Sequence, residues 1–204
     1  MKKKSLYSLS VIIVLILFFM NVHAQVPAHA EEIKPLLIGA KLPDAFLKDT
    51  EGATIQFSSV LKSGPSVLVF YRGGWCPYCN LQLSGLAKIE QEILELGYQV
   101  IAISPDESPD TKETGSTDHL NYHLFSDPDA KLIQSIGIGF QTPVQVTEYI
   151  SGKHRKGKSP AVIPVPSVFI TNTAGEIVFE YINPNYKKRI SGEMLLAVLH
   201  TIEH

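Results

Sequence analysis

The stretch Tyr71-Arg72-Gly73-Gly74-Trp75-Cys76-Pro77-Tyr78-Cys79-Asn80 holds both cysteines and the single tryptophan of a 204-residue chain. It stands between two segments of different character. Before it, SVLVFY (Ser66 to Tyr71) is a continuously apolar, β-branched run of the kind found at the buried centre of a sheet. After it, Leu83, Leu86, Ile89, Ile93 and Leu96 recur at steps of three and four residues, and Gly97 follows as a stop signal. That spacing predicts one amphipathic helix from Pro77 to Leu96, with Pro77 suited to its first turn. YQVIAIS (Tyr98 to Ser104) is a second β-branched apolar run. Strand, helix and strand form a βαβ unit, which implies parallel strands and a right-handed crossover.

Outward from this unit the pattern stays that of one α/β domain. Upstream, AFLKDTEGATIQF (Ala45 to Phe57) alternates around Glu51-Gly52 and reads as a β-hairpin. Downstream, the polar and acidic stretch Asp106 to Asp118 reads as a solvated loop, Leu124 to Ile138 as a short strand and a short helix, and residues 139–163 as a loop-rich insertion. VPSVFIT, TAG and EIVFEYI (Val165 to Ile182) read as strand, turn, strand. SGEMLLAVLHTIEH reads as a terminal helix capped by Ser191 or the residue before it.

The amino terminus has a different grammar. Lys2, Lys3 and Lys4 precede a nearly unbroken apolar run from Leu9 to Met20, and Val22-His23-Ala24 offers a small-residue cleavage pattern. This is the form of a secretory signal, and twelve apolar residues fall short of the ~18 expected of a spanning helix. The expected division is therefore a signal peptide at 1–24, a leader at 25–40 and the domain at 41–204. The destination is periplasmic or secreted, with an uncleaved anchor as the other reading. Removing the three lysines takes 18 basic residues to 15 against 20 acidic ones, a formal charge of −5. Such a chain lacks the basic footprint of a nucleic-acid binder, and its one basic cluster, Lys153 to Lys158, reads as a solvated loop.

Two cysteines three positions apart admit three readings. A structural disulfide would close a tiny ring and constrain the unfolded chain little. A metal site would have two thiolates where zinc normally takes four ligands, with His119 and His123 as candidates to complete it. A redox pair needs nothing more: Cys76 would lie at a helix N-terminus, where free N–H groups favour a thiolate, and Cys79 one turn on could resolve a mixed disulfide. On this reading Cys76 is exposed and attacks, Cys79 resolves, and no cofactor or metal is required.

The strand, WCPYC, helix and later Val-Pro-Ser before a hairpin resemble the thioredoxin superfamily. The long N-terminal hairpin and the insertion resemble more specifically its peroxiredoxin-like branch, the alkyl hydroperoxide reductase and thiol-specific antioxidant type. YINPNYKKRI (Tyr181 to Ile190) resembles the tail of a group carrying RGxWCPxC. The resemblance implies a thioredoxin-like fold, a central mixed β-sheet flanked by helices with an N-terminal β-hairpin extension.

In the peroxiredoxin motif Pro-x-x-x-Thr-x-x-Cys the last cysteine attacks peroxide. Laid on this chain, that cysteine is Cys79, the threonine becomes Cys76 and the proline becomes Arg72. The family's distant arginine would fall near Val165 and is not matched. The residues thus favour an exported thiol-disulfide oxidoreductase acting on a protein disulfide or dithiol with an unidentified redox partner. The alternative is a peroxidase in which Cys79 is peroxidatic and Cys76 resolves; a third reading is a thiolate metal binder.

Four residues read as supporting. Arg72 could stabilise a thiolate or an ion pair, and Trp75 could shield the dithiol or simply pack. Val165-Pro166 resembles the cis-proline loop that faces the cysteine pair, which would leave the Val165 backbone open to a bound peptide; an ordinary strand-entry proline and Pro164 in that role are the other readings. Tyr186 and Arg189 match the tail, with packing as the simplest role for each.

Overall fold

The computed structural model describes residues 25–117, 120–152 and 159–202. The signal-like residues 1–24, His119 and the basic cluster 153–158 lie outside them. Nine strands and seven α-helices follow among the described residues. The strands are β1 (Phe46–Lys48), β2 (Thr54–Gln56), β3 (Ser66–Phe70), β4 (Gln99–Ser104), β5 (His123–Ser126), β6 (Gly139–Gln141), β7 (Val162–Pro164), β8 (Ser167–Thr171) and β9 (Ile177–Ile182). The helices are α1 (Phe57–Leu61), α2 (Pro77–Ala87), α3 (Glu90–Glu95), α4 (Ser108–Thr117), α5 (Lys131–Ser135), α6 (Val144–Gly152) and α7 (Gly192–Leu199).

Seven strands form one mixed sheet in the order β2-β1-β5-β4-β3-β8-β9. β3, β4 and β5 run parallel, while the other pairings are antiparallel. The βαβ unit is therefore the centre of the sheet, and the upstream hairpin is its extension at one edge. The hairpin turns through Gly52 at φ 87°, a conformation that favours glycine, and Asp49 accepts from the Glu51 and Ala53 N–H groups to close it.

Alternation along the central strands divides the core in two. Val67, Val69, Val168 and Ile170 face one way, with Cys76, Cys79, Leu83, Ile93 and Leu195 packed on them. Leu68, Phe70, Ile101, Ile103 and Phe169 face the other way, against Leu132, Ile133 and Phe57. A sheet covered on both faces needs the continuous apolar runs seen at β3 and β4. The cysteines belong to the first of these two cores.

The segment before the domain is tied to it. The Lys34 and Leu36 N–H groups donate to the Gly137 and Ile136 carbonyls, and the Gly39 N–H donates to Ile177. No helix of the described residues is long and apolar enough to cross a membrane.

Three elements differ from the sequence expectation. The helix after the cysteines is interrupted: α2 ends at Ala87 and α3 begins at Glu90. Apolar steps of 3, 3, 4 and 3 residues would drift about 140° around a straight helix, so the break returns Ile93 to the core. Asp106 to Asp118 is not a solvated loop, since α4 occupies Ser108–Thr117 with Ser108, Thr111 and Thr114 buried. The 139–163 insertion carries β6, α6 and β7, and β6 and β7 pair as a separate ribbon. Ser191 caps α7 as expected, its hydroxyl accepting from the Met194 N–H at 3.1 Å.

Candidate active site

The site forms where β3 gives way to α2. The Tyr71 N–H still donates to Ile103, so the chain leaves the sheet only at Arg72. Gly73 then adopts φ 135°, and a Cβ there would run into Trp75 Nε1 and Asp106 Oδ1, so glycine is required on both counts. Cys76 is the N-cap of α2 with Pro77 behind it, and its carbonyl accepts from the Cys79 and Asn80 N–H groups. Both sulfurs are thereby held in one turn, as free thiols.

Both cysteines are buried, Cys76 at 1% exposure and Cys79 at 0%. The expectation of an exposed Cys76 is corrected: its side chain joins the first core, with Trp75 packed against that cluster. The expected order of acidity is retained. A hydrogen bond from the Cys79 thiol, aided by the Cys79 N–H, Arg72 and Arg189 and opposed by burial, lowers Cys76 to about 6. Burial first, then the hydrogen bond and charge of Cys76, push the Cys79 thiol well above the usual range, while Arg189 and the Arg72 N–H pull it down. The reduced pair therefore carries one negative charge and one shared proton near neutrality.

That charge has a kinetic signature. At pH 7 a thiol titrating near 6 is about 90% thiolate, against a few per cent for an ordinary cysteine. Alkylation by iodoacetamide, mapped by mass spectrometry, is expected to label Cys76 first, with a rate that rises with pH through a midpoint near 6. Faster labelling of Cys79 at neutral pH would reverse the assignment.

Arg189 is the residue whose place the sequence did not reveal. Its Nη2 donates to Cys79 Sγ at 3.4 Å from 110 residues away. Its Nε and Nη1 are buried and find no hydrogen-bond partner among the described residues. A cation thus stands on Cys79 although the position near Val165 is unmatched. The match of Arg189 to the family-like tail was the available signal.

Arg72, 6% exposed, lies between two rings, its Cζ 4.9 Å from the Trp75 centroid and 4.5 Å from that of Tyr186. Tyr186 meets Tyr78 edge-on at 5.7 Å, and Trp75 meets Tyr149 at 6.4 Å. An aromatic rim therefore clasps a guanidinium on the loop that leads into the dithiol. The Arg72 charge is also felt by Cys76, whose pKa it lowers.

Val165-Pro166 requires a correction. The described residues contain no cis peptide bond, and the Val165 backbone is not open to a peptide. Its N–H donates to Ile138 at 2.8 Å and its carbonyl accepts from Ser167 Oγ at 2.8 Å. Val165 and Pro166 link β7 to β8, and Ile138, just before β6, and Ser167, in β8, satisfy the groups that an open loop would have exposed. Val165 does reach the site by packing: it is fully buried in a small cluster against which Trp75 rests. As to the metal reading, no three His, Cys, Asp or Glu residues converge among the described residues; His123 stacks on Phe125.

A dithiol at the start of the helix that follows an inner strand of this mixed sheet marks a thioredoxin-like fold of the peroxiredoxin-like kind. The chain belongs to the AhpC/TSA family, whose model matches residues 38–180. It is 30% identical over 107 residues to a putative peroxiredoxin bcp of Haemophilus influenzae, covering 52% of this chain and 68% of that protein. It is 29% identical over 112 residues to peroxiredoxin bcp1 of Schizosaccharomyces pombe, covering 54% of this chain but only 57% of the relative. Among solved structures, peroxidoxin BcpB of Mycobacterium tuberculosis aligns with a TM-score of 0.64 at 20% identity, over 82% of this chain and 98% of that one. Reduced Prx3 of Vibrio vulnificus in complex with hydrogen peroxide aligns at 0.68 and 17%, over 80% and 99%.

Proposed function

We propose that this chain is an exported thiol peroxidase in which Cys79 attacks the peroxide and Cys76 resolves the product. The observation that carries the reading is the Arg189 guanidinium on Cys79 Sγ. It supplies the preorganised donor that cleavage of an O–O bond needs, and relatives named as peroxiredoxins support the same chemistry. The family motif aligned on the sequence puts the peroxidatic position at Cys79 as well.

The proton count closes on the pair itself. At rest the proton sits on Cys79 and the charge on Cys76. Transfer of that proton to Cys76 leaves a Cys79 thiolate under Arg189 and the Arg72 N–H, and a thiolate of higher pKa is the stronger intrinsic nucleophile. Cys79 takes the OH oxygen of a hydroperoxide, the O–O bond breaks, and the departing alkoxide or hydroxide takes the proton back from Cys76. The Cys76 thiolate then attacks the Cys79 sulfenic sulfur, an S–S bond forms, and hydroxide leaves as water with one solvent proton. Dithiol and hydroperoxide become disulfide, alcohol and water. Cys76 serves as proton carrier where the family motif has a threonine hydroxyl.

One equivalent of hydrogen peroxide added to Cys76→Ser, with a sulfenic-acid trap, is expected to label Cys79. Cys79→Ser is expected to react no faster than a free thiol. Labelling confined to Cys76 in the reverse variant would overturn the assignment. A second reading, disulfide exchange led by Cys76, is favoured by the low pKa of that thiol. A mixed disulfide trapped on Cys76 in Cys79→Ser, without peroxidase-like oxidation of the wild type, would establish it in place of the first. In either cycle a dithiol protein of the same compartment must reduce the pair again. Export rests on the amino-terminal pattern, and recovery of the uncleaved chain in the cytosolic fraction of the cell would contradict it.

A further inference from the structure

The turn from β3 into α2 is clamped at one residue, through the peptide groups on both sides of it. The Gly74 N–H donates to Asp106 Oδ2 at 2.7 Å, and the Gly74 carbonyl accepts from Asn80 Nδ2 at 2.9 Å. Asp106, 3% exposed, follows β4 and is itself held firmly. Its N–H donates to Ser104 Oγ at 3.3 Å, and its carbonyl accepts from Ser126 Oγ. Both serines are fully buried. On the same side α4 presses against the loop so closely that a Cβ on Gly74 would meet the Thr114 hydroxyl. The segment that reads as a solvated acidic loop is thus a wall of the site.

Gly74 lies two residues after Arg72 and two before Cys76. Pinning the two peptides around it sets where the Arg72 N–H meets Cys79 and where the N-terminus of α2 meets Cys76. We propose that Asp106 is a positioning residue for the dithiol: its carboxylate holds the Gly74 N–H and so keeps the loop that orients both thiols. Asp106 acts on the peptide that enters Gly74, and Asn80 supports the peptide that leaves it. The inference rests on Cys76 and Cys79 being the reacting thiols; it does not depend on which oxidant they meet.

Geometry and charge make opposite predictions here. The groups facing the pair are Arg72, Arg189 and the phenol of Tyr71, which also feels Asp106. If Asp106 acted by charge, removing it would favour the thiolate and lower the midpoint of Cys76 alkylation. If it acts by position, Asp106→Ala orphans the Gly74 N–H, loosens the loop and raises that midpoint by about one pH unit. Asp106→Asn keeps an acceptor at the same reach and is expected to stay within about 0.3 unit of the wild type.

Iodoacetamide alkylation of the reduced full-length protein against pH, read at Cys76, decides the matter. A midpoint that falls in both variants, or one that stays put in Asp106→Ala while only stability drops, overturns the proposal. Should Asp106→Ala fail to fold, Asn80→Ala removes the other arm of the clamp and is expected to raise the midpoint by about half a unit. An unshifted Asn80→Ala overturns it equally. The measurement contains no peroxide, so failure of the peroxidase reading leaves this result standing.

Discussion

Replacing Arg189 with alanine is expected to slow oxidation of the reduced protein by hydrogen peroxide about 100-fold at pH 7, because one preorganised donor to a developing charge carries that order of rate. Arg189 reaches Cys79 Sγ at 3.4 Å and also lowers the pKa of both thiols, so its loss leaves less Cys79 as thiolate and also removes a donor from the transition state. Lysine is expected to recover only a small part, since an ammonium cannot reproduce the planar fork that keeps one nitrogen on sulfur and leaves others for the peroxide oxygens. Stopped-flow oxidation at several peroxide concentrations, beside urea melts of the same variants, separates rate from fold. A rate within a few-fold of the wild type in folded Arg189→Ala would reduce the residue to packing and remove the main support for the peroxidase.

Phe169→Ala is expected to cost about 3–5 kcal/mol of folding stability, the range for emptying a buried aromatic site. Phe169 sits on β8 between β3 and β9, fully buried, with its ring edge-on to Phe70 at 5.8 Å. A sheet packed on both faces cannot collapse onto the void without moving a strand, so little of the loss is recovered by relaxation. Leu81→Ala, at 74% exposure on α2, is the control and should change stability by no more than about 0.5 kcal/mol. Urea midpoints with unchanged slopes would measure both. A loss below about 1 kcal/mol for Phe169→Ala would mean that this face repacks freely.

What could be read beforehand follows the range of the interactions. The β3–α2–β4 unit and the upstream hairpin are written in local patterns: β-branched runs, a proline at the first helical position, a glycine at a positive-φ turn. Helix α4 escaped because its buried face consists of Ser108, Thr111 and Thr114, which have helical spacing but are not apolar residues. Asp106 looked like one more solvated carboxylate, and only the fold brings it to a peptide 32 positions away. Arg189 is separated from its sulfur by 110 positions, so no window of sequence contains the pair. Val165-Pro166 misled for the opposite reason: the local residues matched, but Ile138, 27 positions upstream, and the Ser167 hydroxyl satisfy the backbone the motif would have exposed.

The clasp around Arg72 also gives the molecule an optical voice. Trp75 is the only tryptophan, its ring faces a guanidinium, and it packs on the core that contains both sulfurs. Its emission therefore comes from one place, a single residue from Cys76. A nearby thiolate is an efficient quencher and a disulfide is a different one, so protonation and oxidation each change the same signal. Every step of the cycle can be followed in the unlabelled protein, at equilibrium or in milliseconds, without a dye that would have to find room beside two sulfurs with almost no exposed surface.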